Sequence, residues 1–142
     1  MPTVRKSVIV PHSRDTMFTL VDEVERYPEF LPWCPATELL ERSDEVTRAR
    51  LEVDYHGLKT HIETLNRKHP PESMQLEFVD GPFQEFSGLW SFSPLGDEGC
   101  RVEFALDYAF SSRVLEATLG PVFGHIMETL VESFVARAEE TA

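Results

Sequence analysis

An alternation of apolar and polar residues through the middle of the chain constrains the fold more than any other sequence feature. Segments 49–55, 74–78, 86–92 and 104–110 place an apolar residue or a glycine at every second position. A period of two is typical of strands that bury one face and expose the other. The region therefore predicts a meander of antiparallel strands with one solvated face, with a tight connection at positions 56–57.

Near the start of the chain the sequence predicts one strand followed by two short helical segments. Positions 3–10 are rich in β-branched residues and predict a first strand that ends at Pro11. Ser13 has the features of a helix N-cap, because an apolar stripe follows it as far as Val24. Positions 27–31 predict a second short helix or turn, so we expect two short helices after the first strand.

The longest helical stripe lies near the end of the chain, from position 115 to position 138. Gly120 and Pro121 lie inside it. Because proline removes a backbone donor and clashes with the preceding turn, we expect a kink or a broken first segment there.

The order of these elements indicates an architecture. One strand and two short helices precede a run of strands, and one long helix follows it. A strongly curved sheet can wrap around one long helix and divide its apolar face between that helix and a cavity. We therefore predict an α+β fold, a curved antiparallel sheet around a long C-terminal helix. A length of 142 residues is that of one domain, so a single domain is expected over positions 1–142.

Charge and cysteine content exclude several classes of function. The formal net charge is −12, from 13 basic and 25 acidic side chains. This sign opposes contact with phosphate backbones, so we expect no DNA binding. Cys34 and Cys100 are expected to stay reduced. No apolar run suits a signal peptide or a membrane span, so the sequence predicts a cytoplasmic protein.

Large side chains crowd the predicted inner face of the sheet and the facing side of the long helix. Any one of them could simply fill the core. As a set they favour an apolar cavity, because a curved sheet does not close completely on a single helix, and its few polar groups would be tyrosine hydroxyls and tryptophan N–H groups. The predicted ligand-binding residues are Trp33, Tyr55, Met74, Phe78, Trp90, Phe104, Tyr108, Phe123 and Met127.

Catalytic and metal chemistry find little support in the sequence. The histidines do not occur at the spacing of metal ligands, so no metal site is predicted. The inward polar candidates for acid–base chemistry are Tyr55, Tyr108 and either His61 or Glu63. Prolines on both sides of Cys34 deny it a helix N-terminus that would activate its thiol. We therefore predict no catalytic residues and favour a protein that binds its ligand without transforming it.

Two sequence blocks and the C-terminal pattern carry a resemblance to a known family. The blocks are YPEFLPWC at positions 27–34 and GPFQEFSGLWSFSPL at positions 81–95. With them the chain resembles the coenzyme Q-binding branch of the START-like superfamily, whose bacterial members are often labelled polyketide cyclase/dehydrase. The resemblance covers nearly the whole chain and implies the helix-grip fold. The matching C-terminal residues are Phe104, Tyr108, Phe123, Met127, Phe134, Arg137 and Ala138.

This resemblance implies a hydrophobic ligand, a ubiquinone-type isoprenoid quinone, held in the cavity in support of respiration. No cofactor is implied apart from the bound ubiquinone itself. We expect a cavity mouth near Leu31 and Trp33, with Trp33 on an exposed or mobile loop because three prolines surround it. Such a loop would also suit transient contact with a membrane surface, here the inner membrane.

Two alternative functions stay open. The family includes a ribosome association toxin that acts on the large ribosomal subunit. Such contact would need a local basic patch against the negative net charge, either at Arg5, Lys6 and Arg14 or at Arg48 and Arg50. The other alternative is an enzyme of the polyketide cyclase or dehydratase type. It would need an acid or base facing the cavity, for which Tyr55, Tyr108 and His61 are the candidates.

Overall fold

The structure, a computed structural model, describes residues 3–55 and 57–141, so His56 of the predicted tight connection lies outside the described residues. The described chain forms a seven-stranded sheet, two α-helices and a short 3₁₀ helix. The elements are β1 Thr3–Val10, α1 Arg14–Asp22, the 3₁₀ helix Val24–Glu29, β2 Thr37–Arg42, β3 Val46–Tyr55, β4 Leu58–His69, β5 Ser73–Asp80, β6 Phe83–Leu95, β7 Gly99–Phe110 and α2 Arg113–Thr141.

The sheet is antiparallel throughout and has the strand order β1-β7-β6-β5-β4-β3-β2. Strands β2 to β7 follow one another as the predicted meander. The first strand closes the other side by pairing with the last, with Thr3 opposite Asp107 and Val10 opposite Cys100. The predicted α+β fold is confirmed.

The two short helices lie where the sequence placed them. Ser13 caps α1, and its hydroxyl oxygen accepts a hydrogen bond from the backbone N–H of Thr16 at 3.2 Å. This satisfies one of the donors that a helix N-terminus leaves unpaired. The helix buries Met17, Phe18 and Val21, so its apolar stripe faces the rest of the fold.

The long helix α2 runs from Arg113 to Thr141 without interruption, so its first segment is not broken at Pro121, and a kink there stays a prediction. Leu119 and Phe123 lie on either side of this proline and are both buried. Their packing offsets the backbone hydrogen bond that proline cannot donate. The helix packs against α1, β1 and β7. In the described ranges, no helix is both long and apolar enough to cross a membrane.

Aromatic rings join the inner face of the sheet to α2. The ring centroid of Trp90 lies 4.5 Å from that of Phe104 and 5.3 Å from that of Phe134 on α2. The Tyr108 and Phe123 centroids are 4.8 Å apart. The alternation in β6 and β7 therefore predicted the buried face correctly, because a shift by one residue would turn these rings to solvent.

Candidate functional site

A small apolar cavity of about 80 Å³ lies between α2 and the inner face of the sheet. No charged side chain occurs among the described residues that form its walls. Helix α1, the 3₁₀ helix and the loop before β2 also contribute to its walls. The walls are formed by Val21, Val24, Tyr27, Trp33, Ala49, Leu51, Val53, Ile62, Thr64, Asn66, Leu76, Phe86, Trp90, Phe104, Phe123, Ile126, Met127, Leu130 and Phe134.

The predicted ligand-binding residues divide between those that line this cavity and those that do not. Trp33, Trp90, Phe104, Phe123 and Met127 line it. Their spacing in the sequence had suggested a shared location, and the structure brings them together. A role in binding stays a prediction for each of them.

The other predicted residues lie outside the cavity walls. Met74 is fully buried in the core, and Phe78 packs against Phe83, with ring centroids 5.9 Å apart. Tyr108 lies beneath α2, and Tyr55 lies near the His125 ring at a centroid distance of 5.7 Å. These residues share the inner face of the sheet with the cavity residues. The alternation along a strand predicts which side chains point inward, but it does not distinguish those that fill the core from those that line the cavity.

Trp33 lies on the predicted loop and lines the cavity, but the expectation that its side chain is exposed is wrong. Its side chain is only 5% exposed, and that of Leu31 only 1%. The Trp33 carbonyl accepts a hydrogen bond from Asp54 N–H at 2.9 Å, and the Ala36 carbonyl accepts one from Glu52 N–H at 3.0 Å. These bonds hold the loop against β3, so the prolines do not release the tryptophan to solvent.

Strand β4 contributes cavity residues that the sequence did not reveal. Ile62, Thr64 and Asn66 all line the cavity. Apolar and polar residues are mixed on this face of the strand, so hydropathy did not indicate which residues point inward. The pairing with β3 indicates their orientation, because Thr64 is opposite Ala49 and Ile62 is opposite Leu51, and both β3 residues point inward.

The same register corrects the expected orientation of His61 and Glu63. Both lie on the outer face of the sheet, since they alternate with Ile62 and Thr64. Glu63 accepts hydrogen bonds from Arg48, the shorter at 2.6 Å, and His61 Nε2 lies 2.7 Å from an Asp80 carboxylate oxygen. Neither residue can serve as an acid or base in the cavity.

Two polar features break the apolar character of the cavity walls. Thr64 donates a hydrogen bond to the Asn66 side-chain oxygen at 2.8 Å. The Trp33 indole Nε1 is buried and has no hydrogen-bond partner among the described residues. A buried donor without a partner is uncommon, because its lost hydration is not replaced.

A buried ion pair lies near the C-terminal end of β4, two residues beyond Asn66. Lys68 Nζ lies 3.1 Å from Asp22 Oδ2, and the exposed fractions of the two side chains are 4% and 18%. Thr47 donates a hydrogen bond to the other Asp22 oxygen at 2.7 Å. Asp22 is the last residue of α1, so these contacts attach that helix to β3 and β4.

A second, smaller void lies beside the main cavity. Its volume is about 10 Å³, and Thr60, Pro82, Leu119 and Val122 belong to its walls. The two spaces share part of their lining. The shared residues are Val53, Ile62, Phe123 and Ile126.

The two cysteines are free and buried. Burial raises the pKa of the Cys34 thiol to about 12 and also raises that of Cys100. A protonated thiol is a poor nucleophile. Within residues 3–55 and 57–141, no three His, Cys, Asp or Glu side chains are grouped as metal ligands would be.

Comparison with known proteins identifies related sequences. A family model described as polyketide cyclase / dehydrase and lipid transport matches residues 10–135. The ribosome association toxin RatA of Pseudomonas aeruginosa is 36% identical over 137 residues, which are 96% of this chain and 95% of that protein. The mitochondrial coenzyme Q-binding protein COQ10 homolog B of Xenopus laevis is 26% identical over 138 residues, or 94% of this chain and 56% of that protein.

Solved structures extend the comparison to the fold. A START superfamily protein from Mycobacterium smegmatis superposes with a TM-score of 0.81 at 23% identity, covering 99% of both chains. At that identity the match concerns the fold alone, and it agrees with a sheet that curls around a long helix. Because the family model covers most of the sequence and the RatA match extends over nearly all of it, the chain belongs to the polyketide cyclase/dehydrase and lipid transport family and has its START-like fold.

Proposed function

We propose that this protein binds a long, uncharged hydrophobic molecule in the cavity, and that this molecule is a ubiquinone-type isoprenoid quinone. The observation that carries the proposal is a cavity between α2 and the sheet whose described walls are mostly apolar and carry no charge. The name of the Xenopus relative, a coenzyme Q-binding protein homolog, supports a quinone as the ligand.

The hydrophobic effect can supply the affinity. Each buried CH₂ group contributes about 0.8 kcal/mol, so an isoprenoid tail gains binding free energy with every unit that enters the cavity. Directional polar contacts are not required for this contribution. Aromatic walls such as Trp90 and Phe104 suit both the branched tail and a flat ring.

The cavity must enlarge to accept such a ligand. Its volume of about 80 Å³ is below the roughly 150 Å³ of an engineered apolar cavity that binds benzene. The smaller void offers the direction of enlargement, because Phe123 and Ile126 belong to both linings.

Gly120 and Gly124 flank Phe123 on α2. A Cβ at Gly124 would meet no heavy atom within 4 Å. Glycine lowers helix stability, so this turn of α2 is the part best suited to move.

The two tryptophans of the chain, Trp33 and Trp90, both line the cavity and provide the readout. Titration with a short-chain ubiquinone should quench their fluorescence in a saturable way, and EDTA should leave the titration unchanged. Trp90→Ala should weaken binding. Because that change also removes core packing worth about 3–5 kcal/mol, its binding is interpreted only if circular dichroism shows a folded protein.

Phe104→Leu keeps most of the apolar volume and should weaken binding while preserving the fold. The matched control is Leu89→Ala, which removes an apolar side chain from the outer face of the same strand as Trp90, where it is 43% exposed. This control should bind like the wild type. Absence of saturable quenching and of co-purifying isoprenoid in the wild type would refute quinone binding.

Association with the large ribosomal subunit is a second candidate function. It is favoured by 36% identity, over nearly the full length of both chains, to a protein named ribosome association toxin. The net charge of −12 opposes contact with ribosomal RNA. Binding would therefore depend on local cations such as Arg50, whose side chain is 37% exposed on the outer face of β3 and lies 3.5 Å from Glu52, so that the ribosome would have to displace this exposed ion pair.

Sedimentation with purified large subunits tests this second function. If it holds, the protein should sediment with the subunit at low salt and dissociate as salt rises, since phosphate contacts release counterions. Arg48→Gln/Arg50→Gln should weaken sedimentation. Quinone binding should change little with salt, so the two functions are separable in the same preparation. Sedimentation that is absent at low salt would contradict ribosome association.

A further inference from the structure

The two edge strands of the sheet, β1 and β2, differ in how they are protected against a further strand. Strand β2 has a bulge between Leu39 and Glu41 and packs against the 3₁₀ helix. Strand β1 pairs with β7 over its whole length without a register shift, and it contains no proline. Bulges and prolines are common means by which a protein prevents another strand from adding to an edge. Because β1 has neither, it presents a regular edge.

A groove of about 420 Å³ lies between this edge and α2. It contacts Lys6, Ser7 and Val8, three successive residues of β1. Successive side chains of a strand point to opposite faces, so a groove that contacts all three borders the backbone edge itself. In an antiparallel edge strand, every second residue directs its N–H and C=O away from the neighbouring strand. In the described ranges no strand pairs with β1 on this side, so these backbone groups can bond to an added strand.

Three carboxylates of α2 give the groove a negative charge. Glu128, Glu132 and Glu139 all border it, and with about 3.6 residues per turn they fall within about 40° of one another around the helix. The one ammonium among the described groove residues, that of Lys6, pairs with Glu128 at 2.7 Å. Glu132 and Glu139 are exposed, and no cation of the described chain forms an ion pair with either. These two carboxylates can therefore pair with cations of a partner.

Apolar groups accompany these charges. Val131 and Val135 form part of the helix wall of the groove, and Ile9 on the outer face of β1 is 62% exposed. An added strand would cover Ile9, because cross-strand side chains pack directly against one another. From Glu128 to Glu139 the helix wall is about 17 Å long at about 1.5 Å per residue, which is the length of a strand of about five residues. The groove therefore matches a short extended segment in length as well as in charge.

We propose that β1 and α2 bind an extended, lysine- or arginine-rich segment of a partner protein, which joins the sheet as an additional strand beside β1. Hydrogen bonds to the free edge of β1 supply affinity, and cationic side chains of the segment pair with Glu132 and Glu139. A second copy of this chain is a poor occupant, because each copy has a net charge of −12 and the two repel each other. The inference goes beyond cavity binding, since the described linings of the groove and the cavity share no residue.

Three fluorescently labelled peptides of about ten residues test the proposal with the wild-type protein. The first alternates lysine with valine, the second alternates glutamate with valine, and the third alternates lysine with proline. The third keeps the charge of the first, but proline cannot donate to a strand ladder and favours a polyproline II helix. Fluorescence anisotropy should show saturable binding of the lysine–valine peptide, about tenfold tighter than that of either other peptide.

Each peptide comparison can contradict one part of the proposal. Equal affinity for the lysine–valine and lysine–proline peptides would overturn strand addition. Equal affinity for the lysine–valine and glutamate–valine peptides would overturn the preference for a basic segment. If the lysine–valine peptide shows no saturable binding, the whole inference is wrong.

Amide hydrogen exchange locates the bound peptide. The outward N–H groups of β1 gain partners when a strand adds, so the lysine–valine peptide should slow exchange in residues 3–10. Exchange in β2, the other edge of the sheet, should not change. Protection of β2 instead of β1, or no protection of β1 at saturating peptide, would contradict binding at this edge.

Two double variants separate the groove from the overall charge. Glu132→Gln/Glu139→Gln removes the free carboxylates and should weaken binding of the lysine–valine peptide about threefold to tenfold. The matched control is Glu38→Gln/Glu41→Gln, which removes two exposed carboxylates from β2 and should bind like the wild type. All four positions are exposed, so both variants should fold. Equal affinities of the two variants would show that bulk charge, and not the groove, attracts the peptide.

Hydrogen exchange of the protein alone tests the second copy as occupant. Exchange in β1 should not depend on protein concentration. Protection of β1 that rises with protein concentration, in the absence of peptide, would show that two copies pair through this edge and would overturn the proposal. Failure of quinone binding would leave the groove unaffected, whereas failure of peptide binding would leave the cavity unaffected.

Discussion

Tyr27 shows how one hydroxyl can determine the course of a connecting segment. It lies in the 3₁₀ helix, is 7% exposed, and donates a hydrogen bond from its hydroxyl to the Val21 carbonyl. Its ring lies 5.4 Å from Phe134, between centroids. Burial raises the pKa of the phenol above its usual range, so the hydroxyl stays protonated and can donate. The tyrosine thereby joins α1, the 3₁₀ helix and α2.

Tyr27→Phe should lower the free energy of unfolding by about 1–3 kcal/mol, because the variant leaves the buried Val21 carbonyl without its donor. The measurement is urea denaturation followed by circular dichroism. Tyr108→Phe is the matched control, since Tyr108 is equally buried and its hydroxyl makes no hydrogen bond among the described residues. A cost for Tyr108→Phe as large as that for Tyr27→Phe would contradict the assignment to the hydrogen bond.

The buried thiols should be unreactive in the folded protein. The raised pKa of Cys34, about 12, leaves little thiolate at pH 8, and its side chain is also shielded from reagent. Iodoacetamide treatment at pH 8 followed by mass spectrometry should show slow modification of Cys34 and Cys100. Both should react quickly in urea. Rapid modification of Cys34 in the folded state would indicate that its loop opens.

At the scale of secondary-structure elements, β4 has a buried ion pair on its inner face and an exposed ion pair on its outer face. Lys68 is buried on the inner face and pairs with Asp22. Its neighbour Arg67 lies on the outer face and pairs with Glu77 at 2.6 Å. Side-chain exposure there is 53% for Arg67 and 40% for Glu77. The strand thus offers two charge pairs of similar geometry in contrasting solvent environments.

Lys68→Met should destabilise the protein by about 1–3 kcal/mol, because the partly buried Asp22 carboxylate then keeps, among the described side chains, its contacts to Thr47 and Arg42 alone. Arg67→Met on the same strand is the control and should cost less than about 1 kcal/mol, since exposed pairs contribute little. Urea midpoints at low and high salt provide the measurement. Equal costs, or a Lys68→Met effect that disappears in high salt, would show that solvent reaches the inner pair.

At the scale of the whole molecule, acidic pH should loosen the packing of the 3₁₀ helix against β2. Arg42 donates hydrogen bonds to Glu25 at 2.5 and 2.8 Å and holds the pKa of that carboxyl below its ordinary value of 4.5. A lowered carboxyl pKa gives stability that is present above pH 4.5 and is lost as the pH falls through the folded-state value.

Glu25→Gln should therefore reduce stability at pH 7 by less than about 1 kcal/mol, because the pair is partly exposed. The difference from wild type should shrink as the pH falls below 4.5. Urea denaturation at a series of pH values measures it. Glu103→Gln, an exposed position without an ion pair in the described chain, is the control. A difference that grows towards low pH would contradict the sign.

The sequence predicted the fold more fully than the cavity, for physical reasons. Alternation in β6 and β7 identified the buried rings because those strands bury apolar residues on one face only. In β4 the inner face carries Thr64 and Asn66, so its hydropathy does not alternate, and the sequence left either His61 or Glu63 as an inward candidate although both lie on the outer face. Trp33 was assigned to solvent because backbone bonds between its loop and β3 are tertiary contacts, which local proline content does not reveal.

The pairing of β1 with β7 has a consequence for the order in which the chain can assemble. The side chains of Thr3 and Asp107, joined by a hydrogen bond, are separated by 104 positions in the sequence. At a synthesis rate of about 5–20 residues per second, β1 waits on the order of 5 to 20 seconds for its partner to be made. During that interval its backbone donors and acceptors have no strand to pair with, and chaperones or other nascent chains can reach them. The pairing of β1 with β7 therefore comes late in assembly, and the closure of the long intervening segment slows it.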